Sequence, residues 1–217
     1  MRKQTIKIIR RKQLTEAAFD VLKKHGISGT TFDKVAKQAG LSKGILQHYF
    51  SGKEALFEAV LRESNAVTQQ NVTVLFGHSN SSWERLYAII YGNFAPTVFQ
   101  REVCHAWVCL CAEVPQNPQY ERIQTVIHSR MRSNLMSSLR FLVDSSLAEK
   151  IAFNLTTMID GLWMRAALQP EPMSSEEAIS HLEFTLDKLF EGAKVDDSQR
   201  AMARDKISTV SGILFKV

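Results

Sequence analysis

No apolar run in the 217 residues approaches the ~20 positions that a membrane-spanning helix needs, which leaves no expected membrane partner. The start, Met1-Arg2-Lys3-Gln4-Thr5, is basic but no apolar segment of signal-peptide type follows, so a cytoplasmic protein is expected. Cysteine is scarce. Cys104, Cys109 and Cys111 are odd in number and crowded together, a poor disulfide framework. Without secretion the Asn-x-Ser/Thr triplets at Asn71, Asn80 and Asn154 carry no meaning. Only five prolines occur, in a globular composition with 45% hydrophobic residues. No alternating strand pattern stands out, and no nucleophile–base set or phosphate loop can be placed, so no enzyme is expected and no cofactor.

What is present is charge, unevenly spread. Residues 1–53 hold twelve Lys/Arg against three Asp/Glu, a net +9; residues 54–217 hold fifteen against nineteen, a net −4. A basic segment on a mildly acidic body suggests that one end meets a polyanion. A solvated basic face with no partner is the competing reading.

Helical periodicity runs nearly throughout. Leu14, Ala17, Ala18, Val21 and Leu22 recur at three- and four-residue steps, predicting a helix over about 5–25 with Gly26 at its C-cap. Four capping boxes (Ser51/Glu54, Ser81/Glu84, Ser146/Glu149, Ser174/Glu177) mark later starts. Pro96, Pro115–Pro118 and Pro170–Pro172 mark breaks. The expectation is an all-α chain of about nine helices in two domains. Residues 1–52 form a three-helix DNA-binding domain; residues 53–191 form a helical effector-binding and dimerisation domain. Residues 192–217 are read as a frayed tail, a further docked segment or a cloning remnant.

Between Thr31 and Lys53 lies a short helix ending at Ala39, a turn through Gly40 and Leu41, and a second helix starting at Ser42. Two short helices joined by a glycine-containing turn are a helix-turn-helix, whose second helix enters the major groove. Lys43 and Gln47, four apart, share a face, and Gly44 between them lets a duplex approach. Thr31, Ser42 and Lys53 stand at helix starts, where phosphates can be held. Ile45, Leu46 and Phe50 are assigned to the core, and His48 and Tyr49 either bridge helices or touch phosphate.

Thr30-Thr31…Val35-Ala36…Ala39-Gly40-Leu41-Ser42-Lys43-Gly44…His48-Tyr49-Phe50…Lys53…Leu56 resembles the N-terminal signature of the TetR family of repressors. The resemblance implies a homodimer on double-stranded DNA and an inducer-binding helical domain. It also implies phosphate contacts at Thr31, His48, Tyr49 and Lys53. Many members have Tyr where this chain has Gln47, so base specificity stays open.

Further on, Tyr91-Gly92-Asn93-Phe94, the stripe Cys104, Trp107 and Cys111, Arg130 with Ser133-Asn134-Leu135, and Ile159-Asp160-Gly161-Leu162-Trp163-Met164-Arg165 resemble the BetI group of choline-responsive repressors of glycine betaine synthesis genes. The implied effector is a quaternary ammonium, held by aromatic faces and a carboxylate. Tyr91, Phe94, Trp107 and Trp163 are candidate faces, Asn93 and Cys111 candidate neighbours, and Asp160 or Glu113 the candidate charge. The same aromatics also fit a plain helical core, and Asp160 fits a salt bridge with Arg165, Arg130 or a dimer-related group. The helices at about 146–168 and 175–190 are expected to pair with a second copy through Leu147, Ile151, Leu155, Leu182 and Leu189. The helix at about 52–76 is the expected hinge. An alternative is a thiol- or metal-responsive regulator using Cys104, Cys109 and Cys111. No metal is expected, because a structural zinc needs four suitably spaced ligands.

Overall fold

The five periodic residues of the first segment are all buried along one stripe of α1 (Arg2–Gly29). Gly26, at φ 63°, breaks that helix where the capping glycine was expected, a left-handed conformation that a Cβ would strain. The computed structural model describes residues 2–193 and 195–216, with side chains from residue 5 onward.

Thr31 caps α2 (Phe32–Gln38) and Ser42 caps α3 (Lys43–Tyr49), each hydroxyl accepting from the N–H three residues on. Gly40, at φ 66°, makes the turn between them. Then follow α4 (Lys53–Gly77), α5 (Ser82–Asn93), α6 (Arg101–Ala112), a 3₁₀ turn (Val114–Gln116), α7 (Pro118–Leu139), α8 (Ser145–Leu168), α9 (Ser175–Leu189) and α10 (Asp197–Leu214). The all-α expectation holds, with ten α-helices among the described residues rather than nine. No described helix is long and apolar enough to cross a membrane.

Two boxes cap as expected: Ser81 accepts from the Glu84 N–H and Ser174 from the Glu177 N–H. Glu84 itself reaches the Asn80 N–H, one residue before the cap. The other two are corrected. Asp144, not Ser146, caps α8, because its carboxylate takes the N–H groups of both Ser146 and Leu147, while Glu149 pairs with Arg132. Helix α4 opens at Lys53, directly after Gly52 rather than Ser51.

Two compact units result. One is Met1–Asn65 with His105–Gln124; the other is Ala66–Cys104 with Thr125–Val217. Helices α4, α6 and α7 contribute residues to both. In the first, Leu14, Leu22, Val35, Leu46, Phe50, Leu56 and Leu61 are essentially fully buried. Ile45, expected in this core, is 40% exposed. Its neighbours Leu46 and Phe50 point inward, and a seven-residue helix has only one inner stripe.

In the second unit α5 is buried on nearly every side, from Trp83 to Asn93. The segment from residue 192 resolves into α10, docked on α5 and capped by Asp196. Arg200, 8% exposed, fastens it. Its guanidinium donates to the Tyr87 hydroxyl (3.0 Å) and pairs with Glu183 (3.2 Å) and Asp187 (2.8 Å). Lys206 pairs with Glu84 at 2.6 Å. Burial holds the Glu183 carboxyl above its usual range although Arg200 pulls it down.

Of the residues expected to meet a second copy, Leu147 and Leu189 are half-buried, and the other three are corrected. Ile151, Leu155 and Leu182 are fully buried within this chain. The face α8 leaves exposed is instead Phe153, Gly161, Met164 and Leu168, with Phe184 exposed on α9.

A Cβ on Gly92 would stand 2.6 Å from a Val72 methyl and 2.8 Å and 2.9 Å from the Val72 backbone N and Cα. Backbone cannot swing aside as a side-chain tip can. Gly92→Ala is expected to lower the unfolding free energy by about 1–3 kcal/mol, read by urea denaturation. An unchanged midpoint would show that α4 and α5 separate without cost.

Candidate nucleic-acid interface and effector region

Helix α3 is anchored by Leu46 and, just past its end, Phe50. What remains faces solvent: Lys43, Gly44, Gln47 and His48 are exposed and Tyr49 is half-buried. Lys43 and Gln47 lie on one face as their spacing predicts. Lys43 pairs with Asp33 of α2 at 2.9 Å, a partner the sequence reading missed. Both are exposed, and such a pair is worth only ~0–1 kcal/mol, so another anion can take Lys43 over. A Cβ on Gly44 would meet only the Ser42 hydroxyl, at 4.0 Å. Nothing in this chain requires glycine there, although glycine costs a helix about 1 kcal/mol.

Lys53 is exposed at the first position of α4. The His48 and Tyr49 rings meet edge to face at 5.4 Å. Arg11 of α1 donates to the Tyr49 carbonyl (3.1 Å), and its guanidinium lies 4.4 Å from the centre of the Phe50 ring. Every DNA-side candidate thus lies around α3 or at the adjoining starts of α2 and α4.

The effector candidates are divided. Phe94 is fully buried with its ring 4.8 Å from that of Phe99, and Phe99 lies 6.0 Å from Trp163. The Trp163 indole N–H donates to the Asn93 carbonyl (3.2 Å), and the Asn93 amide donates to Ile89 (2.7 Å). Asn93, Phe94 and Trp163 therefore form one cluster, with Phe99 the member that sequence reading missed. Phe99 follows Pro96 outside any periodic run, so no spacing marked it. Tyr91 turns elsewhere, its hydroxyl bonding with Ser208 of α10 while burial raises its pKa. Asp160 faces His128 at 3.6 Å, not Arg165 or Arg130. Burial raises its carboxyl and the His128 charge opposes that. Arg130 donates to Gln69 instead, at 2.5 Å. Trp107 and Cys111, half-buried on α6, belong to the first unit.

Burial pushes the Cys104 thiol up to about 12 and raises Cys109, whose sulfur lies 3.8–4.0 Å from the His105 ring. A sensing thiol needs the opposite shift, toward thiolate. No group of three metal-ligating side chains occurs among the described residues. Among the described residues, neither observation favours the thiol and metal alternative at Cys104 or Cys109.

A basic three-helix head displaying its third helix, joined to a larger helical unit, defines a helix-turn-helix regulator of transcription. Residues 14–60 match the model of the bacterial regulatory proteins of the tetR family, and residues 83–191 match that of the BetI-type transcriptional repressor C-terminal region. The transcriptional regulator BetI of Escherichia coli K12 is 34% identical over 185 residues, covering 83% of this chain and 93% of its own. BetI of Vibrio campbellii is 32% identical over 184 residues, covering 83% and 92%. A transcriptional regulator from a Rhodococcus species superposes with a TM-score of 0.76 at 24% identity, covering 86% of this chain and 98% of that one. A protein from Saccharomonospora viridis, crystallised in complex with choline, gives 0.74 at 18% identity, with coverage of 86% and 98%. The chain belongs to the TetR family of transcriptional repressors, with a BetI-type C-terminal region, and it is not an enzyme.

With Cys104 buried, native protein at pH 7.5 is expected to leave it unmodified by a maleimide, while denatured protein reacts at all three cysteines. Peptide mass mapping reads the difference, and rapid native labelling of Cys104 would reopen the thiol alternative.

Proposed function

We propose that the protein represses transcription by binding a near-palindromic operator as a homodimer, and that a quaternary ammonium effector, choline, releases it. The observation that carries the DNA part is the exposed row Lys43, Gly44, Gln47 and His48 above the buried pair Leu46 and Phe50. In this reading Lys43 and Gln47 reach the groove, and Gly44 gives the duplex room. Thr31, Ser42, His48, Tyr49 and Lys53 hold phosphates on either side. Dimerisation is supported by the apolar face of α8 and α9. Gly161 sits in its middle, where a Cβ would meet nothing of this chain and a second copy could come close. Two recognition helices would then enter successive major grooves about 34 Å apart.

The effector reading draws on the BetI relatives and on the choline-bound neighbour, and the regulated genes would be those of glycine betaine synthesis. Within this chain the support is Trp163 and Phe99 beside Asn93 and Phe94, with Asp160 one turn before Trp163 on α8. A quaternary ammonium donates no hydrogen bond, so aromatic faces and a carboxylate whose burial disfavours bare charge suit it. Phe94 would have to yield part of its burial to offer a face. The effector can weaken DNA binding only by the difference in its affinity for the free and the bound forms.

A duplex selected by the protein from a random pool provides the test. Lys43→Ala with Lys53→Ala is expected to weaken binding at least tenfold and, through the lost Lys53 phosphate contact, flatten its salt dependence by about 1 log unit per log unit of salt for each protomer. Unchanged binding would remove the assigned interface. Millimolar choline is expected to release the duplex, and Trp163→Ala to abolish the heat of choline binding in calorimetry. An absence of choline heat with the parent protein would remove the effector and leave the repressor. Phe153→Asp with Phe184→Asp is expected to give monomers in sedimentation analysis, and a persistent dimer would place the interface elsewhere.

A further inference from the structure

The first thirteen residues lie ahead of the segment that matches the family model, which begins at residue 14. Residues 2–12 contain six Lys/Arg and no Asp/Glu. They continue α1 as helix, but burial begins only at Leu14, and every residue from Thr5 to Lys12 is exposed. The two helical turns from Thr5 to Lys12, which cover no core, hold together only as an extension of a packed helix, since isolated helices this short are marginal in water.

Their direction is given by Arg11, whose guanidinium reaches the Tyr49 carbonyl and lies over Phe50. The row of α1 that contains Arg11 therefore starts at the C-terminal end of α3. Lys7 is four residues earlier on the same face and about 6 Å farther along the axis. Lys7 is exposed and has no ion pair among the described residues. Arg10, three residues from Lys7, donates only to the neutral Gln13 (2.7 Å) and keeps its charge uncompensated.

We propose that this leading part of α1 is a second DNA-contacting element, in which Lys7 and Arg10 bind duplex phosphates flanking the sequence that α3 reads. The inference rests on the DNA reading above, which puts phosphate at His48, Tyr49 and Lys53, the end of α3 where the Arg11 row begins. Positive charges one helical turn apart, with no acid between them, fit regularly spaced phosphates and carry no base code. An anionic lipid surface also attracts basic helices, and Ile6, Ile8 and Ile9 are 51%, 65% and 60% exposed. Duplex is favoured because the row runs on from α3 rather than standing apart from it.

The probe is the duplex selected from a random pool, in a short form trimmed to the selected sequence and a long form extended by about one helical turn at each end. Anisotropy titrations across a salt series compare the full-length parent with Lys7→Ala/Arg10→Ala. On the long duplex the variant is expected to bind about tenfold more weakly, with a salt slope lower by about 2 per protomer. On the short duplex the two proteins are expected to match, as are their thermal midpoints, because neither side chain is packed. Equal affinity and slope on the long duplex would overturn the proposal while leaving the α3 reading intact. Failure of the parent to select or bind any duplex would overturn both. Vesicles of phosphatidylcholine and phosphatidylserine that retain the parent but not the variant, with long-duplex binding unchanged, would assign the segment to membrane and overturn it as well.

Discussion

The burial of Leu46 and Phe50 is the contact on which the displayed chemistry depends. A helix of seven residues has no stability of its own in water. Its orientation comes from those two anchors, from the Ser42 cap, from the left-handed turn at Gly40 and from Arg11 closing over Phe50. With that seam in place Lys43, Gly44, Gln47 and His48 must face outward. Ile45 is carried outward with them, against its hydrophobicity.

The larger unit solves a different problem. Helix α5 is apolar on nearly all sides and needs cover all round. Part of that cover comes from α10, whose buried residues are Arg200, Ala203, Ile207 and Ser211, so charge helps to fasten it. Arg200 is tolerable in a buried place because Tyr87, Glu183 and Asp187 together receive its guanidinium. The polar look of residues 196–206 hid this arrangement, since a buried arginine with three partners resembles a solvated one in sequence.

Most helices were legible because a 3.6-residue apolar period and a capping residue are local signals. The errors share a cause: a local signal was satisfied by the wrong neighbour. Asp144 outcompeted Ser146 because a carboxylate two residues earlier can accept two N–H groups at once. The expected dimer contacts Ile151, Leu155 and Leu182 were apolar and correctly spaced, yet α8 and α9 each carry a second apolar edge at Phe153 and Phe184. Periodicity identifies a stripe, but not whether its cover belongs to the same chain.

The sequence by itself determined the class of protein: the spacing from Thr31 to Lys53, the segregation of positive charge and the BetI-like motifs are properties of order along the chain. Only the tertiary structure decided what the singled-out residues meet. Gly92 stands against the Val72 backbone, whereas Gly44 and Gly161 have almost nothing near them, although all three lie inside helices. Asp160 found His128, Tyr91 found Ser208 and Phe94 found Phe99. Such partners lie on different elements or past a helix end, and their distances depend on how those elements pack, which no residue spacing encodes.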